Sequence, residues 1–311
     1  MSMKISEAVQ QVKSLITGSL IDEVSVLAAP YVAATDTSIT LKYPKRQLAT
    51  GATICVGLNT FQVIAADASG TTLEVLPSMD GGPNVDVPLN SIIYIRPYVT
   101  TYAAYREIGN EVQGLSSRHT GLFAVWEYVV TALNRQSGTY PLDGLSPVGQ
   151  PPFRLLKFEY RYAGTTTWQA STDAEWQQFS NTIRVFQDPP GAIEYRFSLA
   201  IPYGQITSLE QTFADIGITD SQSNIPCLGA ASTMALGWGG RRNQPFSQGD
   251  SRRAAETQVS GLFQLSQQYR RAQLENINDE VARLQARYTY RQPSVSGQSS
   301  YGRYGTYGGW R

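Results

Sequence analysis

The stretch Thr53-Ile54-Cys55-Val56-Gly57-Leu58-Asn59-Thr60-Phe61-Gln62-Val63-Ile64 contains two short runs, 53–56 and 61–64, rich in β-branched and aromatic residues. Such runs suit a pleated, half-buried surface and read as strands. The pattern repeats outward in both directions. SerValLeuAla (25–28) and SerIleThrLeu (38–41) precede it, and ThrLeuGluVal (72–75) and SerIleIleTyrIle (91–95) follow. Turn-forming residues separate the runs at 34–37, Thr50-Gly51, 68–70 and MetAspGlyGlyProAsn (79–84). Short strands at this even spacing predict a small β-barrel or sandwich over 21–98, taken here as a barrel.

Helical periodicity flanks that unit. Ile5, Val9, Val12 and Ile16 predict an amphipathic helix over 3–16, stopped by Gly18, within an N-terminal segment 1–20. Tyr102, Tyr105, Ile108, Val112 and Leu115 predict one connecting helix within 99–118. From Leu122 the run fits either period; its β-branched and aromatic content favours a strand. Further strands at 153–162, 182–186 and 193–201 make 119–204 a second β unit, read as a sandwich.

Helix returns over 205–290. A short helix is expected at 206–213 and a small-residue segment at 227–236. A long helix follows at 250–288, with Asp250 or Ser251 as its N-cap. Its stripe Leu262, Leu265, Tyr269, Leu274, Ile277, Val281, Leu284 and Tyr288 skips once at Ala272, and it needs a partner helix or a neighbouring subunit. The fold class is therefore α+β: an N-terminal barrel, a central sandwich, a C-terminal helical region and an extended tail over 291–311.

Catalytic constellations are scarce. The single histidine, His119, lies in a polar loop, and two separated cysteines with one histidine leave no tetrahedral zinc set. Cys55 and Cys227 read as small buried hydrophobes in a reducing compartment. LeuGlyTrpGlyGlyArgArg (236–242) lacks the Lys-Ser/Thr of a phosphate loop. Glu159, Asp173, Glu175 and Glu194 are too dispersed to predict a glycosidase pair. Trp168 and Trp176 keep a carbohydrate-binding module as one alternative, against the commoner packing role of such rings. No cofactor is expected. The first twenty residues hold no long apolar run, so no signal peptide is expected, and no run suits a membrane span.

Charge is unevenly placed. The 311-residue chain is formally neutral, yet 241–311 holds 11 Arg, no Lys and 5 acids, and 1–240 holds 14 basic and 20 acidic residues. A basic end on an acidic body favours head-to-tail contact between copies or docking on an acidic partner. The paired arginines Arg241, Arg242, Arg252, Arg253, Arg270 and Arg271 are candidates for facing a partner ring or DNA. They are too separated to form one contiguous basic patch. In the tail, Tyr301, Tyr304, Tyr307 and Trp310 recur every third residue among glycines, with Arg303 and Arg311 supplying charge. Alone such a segment cannot bury a core, but Tyr, Trp and Arg carry binding energy at interfaces. It is expected to order against a partner.

Several stretches together resemble the head-to-tail adaptor (neck) proteins of long-tailed bacteriophages. They are GluIleGlyAsnGluValGlnGlyLeuSer (107–116), GlyLeuPhe (121–123), AlaIleProTyrGly (200–204), AspIleGlyIle (215–218), IleProCysLeuGlyAlaAla (225–231) and TyrArgArgAlaGlnLeuGlu (269–275). The resemblance implies a non-enzymatic virion subunit made in the host cytoplasm. It would form a homo-oligomeric ring, usually of twelve copies, beneath the portal protein. The C-terminal tail would dock on portal subunits, and a further neck or tail-completion protein would bind below. Contacts with packaged DNA would be to phosphates, without sequence readout. A tail or baseplate subunit is the alternative within the same structural class.

Overall fold

A computed structural model describes residues 2–18, 22–45, 48–115, 120–131, 138–142, 146–170, 176–179, 182–185, 191–242 and 252–288. Of these, the side chains of 176–179, 238–242 and 252–260 are not described. Among the described residues the chain is mixed α+β, with sheets and four α-helices, the last of them a long C-terminal one. It divides into two compact units. Counting only described residues, unit 1 takes in Met1–Ala124, Val148–Gln150 and Pro202–Leu284, and unit 2 takes in Val125–Pro147, Pro151–Ile201 and Gln285–Arg311.

In unit 1, helix α1 (Ile5–Thr17) buries Ile5, Val9 and Val12 of the stripe its sequence announces, together with Ala8, while Ile16 is half-buried. Lys13 is buried beside them, its Nζ 3.2 Å from Asp22 Oδ2 and 3.9 Å from the centre of the Tyr94 ring. Six strands follow: β1 (Glu23–Val26), β2 (Ser38–Thr40), β3 (Thr53–Val56), β4 (Asn59–Ala66), β5 (Thr72–Leu76) and β6 (Ile92–Ile95). They form one antiparallel sheet in the order β1-β6-β3-β4-β5-β2. Alternation places Ile54, Phe61, Val63, Leu73, Val75, Ile93 and Ile95 in one buried cluster. The order is linear, and no sheet is closed as the expected barrel would be. The edge strands β1 and β2 are only four and three residues long. Beyond their ends a single bridge, Leu27–Leu41, joins them.

Helix α2 (Thr101–Leu115) buries Thr101, Ala104, Ile108, Val112 and Leu115, whereas Tyr102 and Tyr105 lie at the margin of that face. The Tyr105 hydroxyl donates to the Ile206 carbonyl at 3.1 Å. The short helix expected at 206–213 does not form. Its backbone serves the start of α1 instead. The Ile5 and Ser6 N–H groups donate to the Gln211 and Leu209 carbonyls, and Phe213 N–H donates to the Met3 carbonyl. Helix starts leave N–H groups without intrahelical acceptors, and here an extended segment supplies them. Only then come two 3₁₀ turns, Ala214–Ile216 and Asp220–Gln222, and helix α3 (Asn224–Arg242).

Among the described residues helix α4 runs over Arg252–Arg287, and the N-cap candidates Asp250 and Ser251 lie outside them. Among its described side chains Ser266, Gln273, Ile277 and Glu280 are buried, while Leu274, counted in the apolar stripe, is exposed. The skip at Ala272 marks the place where Gln273 points inward. Apart from Leu274 the stripe is buried or half-buried, and Ser266, Gln273 and Glu280 lie on the same face, so hydrophobicity finds the face but misses the polar groups at its centre.

Unit 2 holds β7 (Ala124–Thr131, from Val125 on), β8 (Thr139–Pro141), β9 (Arg154–Tyr162), β10 (Gln169–Ala170), β11 (Trp176–Phe179), β12 (Thr182–Val185) and β13 (Ala192–Ile201). Two sheets result, ordered β10-β9-β13-β7 and β11-β12-β8. One buried cluster draws on both: Tyr140, Ile183 and Val185 from the second, Leu155, Phe158, Tyr195, Phe197 and Leu199 from the first. Gly138, with φ +39, sits so close to β12 that a Cβ would lie 2.2 Å from the Val185 carbonyl oxygen.

Candidate functional site

Three helices of unit 1 meet at a polar node. Gln273 of α4 is buried, and its Nε2 donates to Glu111 Oε2 of α2 at 2.8 Å. Arg270 donates to Gln273 Oε1, and its Nη1 stands 3.8 Å from Glu111 Oε2. Thr233 of α3 reaches Glu111 Oε1 at 3.5 Å. The third helix comes this close because it presents Gly229. A Cβ there would lie 2.2 Å from Glu111 Oε2 and 2.3 Å from Gln273 Nε2. Seven residues before Gln273, Ser266 and Ser232 exchange hydrogen bonds, each hydroxyl donating to the other's carbonyl at 2.9 Å. The Tyr269 hydroxyl donates to the Leu15 carbonyl of α1 at 2.6 Å. The partner that the long helix required is therefore its own chain.

Ser266, Gln273 and Glu280 recur every seventh residue along α4. Polar groups at repeating core positions fix helix register at some cost in stability. That repeat is the sequence signal by which these residues could have been found. Gly229→Ala will push the Glu111 and Gln273 side chains apart and leave a buried amide without its acceptor, a loss of about 1–3 kcal/mol. Gly109→Ala, on α2 with open space at its Cβ, is the control and should stabilise by up to about 1 kcal/mol. Urea unfolding of both variants checks this; equal midpoints would refute the tight contact.

The arginines named from sequence separate in the structure. Arg270 joins the node, and Arg271 beside it is exposed. Arg241 and Arg242 end α3, and Arg252 and Arg253 begin α4; their side chains lie outside the described residues. The tail residues Tyr301, Arg303, Tyr304, Tyr307, Trp310 and Arg311 also lie outside them, as does His119.

In unit 2 a charged cluster covers the face of the larger sheet that turns away from the apolar core. Glu159 is buried, yet Arg196 meets its Oε2 through Nη2 at 2.6 Å and Nε at 2.8 Å, and Lys157 Nζ meets Oε1 at 2.6 Å. Arg161 pairs with Glu194. The Trp168 ring carries both guanidinium groups, Arg196 at 4.7 Å and Arg161 at 5.1 Å from its centre. Trp168, a candidate sugar platform by sequence, is thus engaged by cations of its own chain. The side chain of Trp176 lies outside the described residues. Burial raises the Tyr288 phenol, with Arg287 opposing and Glu127, Glu159 and Arg196 nearby.

Both cysteines are buried and free. Burial pushes the Cys55 thiol up to about 11 and the Cys227 thiol up to about 12. A thiol protonated in the fold and ionised in the unfolded chain stabilises below the unfolded value and loses that contribution as pH rises through the folded one. Stability should therefore fall between pH 9 and 12, and a thiol reagent at pH 8 should label neither cysteine until the chain unfolds. Rapid native labelling would contradict the burial.

Among the described residues no group of three or more His, Cys, Asp or Glu is placed to hold a metal ion, and no helix is long and apolar enough to cross a membrane. No protein-family model and no curated protein matches the chain.

Proposed function

We propose that this chain is a structural ring subunit of a virus particle, a head-to-tail adaptor beneath a portal, whose C-terminal segment docks on portal subunits. One observation carries the reading. Three of the stretches that resemble neck proteins, 107–116, 225–231 and 269–275, interlock through Glu111, Gly229 and Gln273. Residues far apart in sequence that carry one resemblance thus also carry one packing contact. The Leu27–Leu41 bridge supports reading the six-stranded sheet as a barrel, and the core shared by the two sheets of unit 2 supports reading them as a sandwich. The basic end and its Tyr/Trp/Arg tail suit insertion between partner subunits.

The test is assembly. Mixed with portal from the same particle, the full chain should form rings visible in negative-stain averages. A chain ending at 290 should keep its unfolding midpoint but lose portal binding. Binding by the truncated chain equal to that of the full chain would sink the docking role of the tail, and no ring from the full chain would sink the whole reading.

A further inference from the structure

Unit 1 carries two exposed surfaces of opposite character. On α4, Phe263 and Leu274 are each about half exposed, and they lie on one stripe with Arg270 between them. The eleven residue steps from Phe263 to Leu274 span about 16 Å of helix. Arg270 is more than half exposed, and its neighbour Arg271 is exposed with no ion pair among the described residues. The second surface lies where the segments around Tyr31 and Val87 bridge. There Val32 and Val85 are exposed. Asp86 Oδ1 accepts from Ala33 N–H at 2.8 Å, and Asp36 Oδ2 accepts from Val32 N–H at 2.7 Å. These bonds hold both carboxylates beside the valines, and neither has an ion-pair partner among the described residues.

We infer that the Phe263–Leu274 stripe of one copy packs on the Val32/Val85 surface of the next, with Arg270 and Arg271 facing Asp36 and Asp86. This deepens the ring reading and rests on it. Each surface offers two apolar side chains for burial and two charges of one sign, and the signs are opposite. Apolar contact supplies the affinity, and the charges select the partner and its orientation. A surface presented to its own like would set arginine against arginine, so the contact is heterologous. Each copy then gives one face and receives on the other, which closes a ring when the rotation per copy divides the circle. The two native cysteines, buried, leave the surface free for introduced thiols.

Full-length Leu274→Cys and Val85→Cys proteins are prepared separately, mixed, and treated with a short bis-maleimide under assembly conditions. The expected product is the mixed dimer, at least tenfold over either homodimer. Adding Arg271→Glu to the first protein, or Asp86→Arg to the second, should lower the yield about tenfold, and combining the two should restore it. Rings without mixed cross-links, homodimers as abundant as mixed dimers, or no rescue by the charge swap would overturn this contact while leaving the ring reading intact. Full-length protein that stays monomeric with portal present would overturn both.

Discussion

Arg196→Met will destabilise unit 2 by about 3 kcal/mol. Its guanidinium holds Glu159 through two short bonds, and Glu159 is almost wholly out of water. Removing one partner of a buried pair costs about 3–5 kcal/mol because the remaining charge stays buried and unpaired. The lower end applies, since Lys157 Nζ remains 2.6 Å from the other carboxylate oxygen. Replacing both charges removes the cause of the loss. The double variant Glu159→Gln with Arg196→Met should recover most of it, as buried ion pairs rarely outdo an apolar replacement. Urea midpoints of the wild type, both single variants and the double variant form the cycle that decides. A single Arg196→Met variant as stable as the wild type would show that the pair is solvated and holds nothing.

Phe61→Ala should destabilise unit 1 by about 3–5 kcal/mol, the usual range for truncating a buried aromatic. Phe61 is fully buried on β4 and meets Tyr31 edge to face at 5.0 Å between ring centres. The Tyr31 hydroxyl is tied to Asn84 at 3.1 Å, so that ring cannot easily swing to fill the space. The surroundings relax little, and the upper half of the range follows. Hydrogen exchange read by mass spectrometry should show faster exchange in peptides covering 53–76 and 91–95. Peptides covering 192–201 should change little, because those strands bury their side chains in the other cluster. Uniform acceleration through both units would contradict two separate cores.

Where burial is strictly periodic, the strands and helices were legible from local pattern. The alternation through 53–64 and 72–76 and the Ile5/Val9/Val12 stripe map directly onto the elements observed. Two local readings departed from the structure, the first wholly and the second at one residue. The 206–213 segment has helical spacing, but its carbonyls accept from the start of α1, a partner some two hundred residues away. The stripe on α4 departs at one residue, the exposed Leu274, and it omitted the serine, glutamine and glutamate that complete the buried face.

The candidate site divides along the same line. Composition marked the arginine pairs and the aromatic tail, since charge and ring content are additive properties of a chain. It could not mark Glu111, Gly229 and Gln273, which acquire a role only through one another. A buried amide is tolerable only beside its acceptor, and a glycine matters only where two side chains occupy the space its Cβ would fill.

By itself, then, the sequence determined the α+β class, the strand-rich blocks and their flanking helices, and the separation of a basic end from an acidic body. Hydrophobic period and charge are local, and local information suffices for them. Only the tertiary structure decided that serine, glutamine and glutamate join the buried face of the long helix, how three distant helices close on a shared polar node, and that Arg196 and Lys157 rather than solvent neutralise Glu159. Those outcomes depend on distances between residues remote in the chain, where desolvation makes each polar group depend on the partner that folding brings to it.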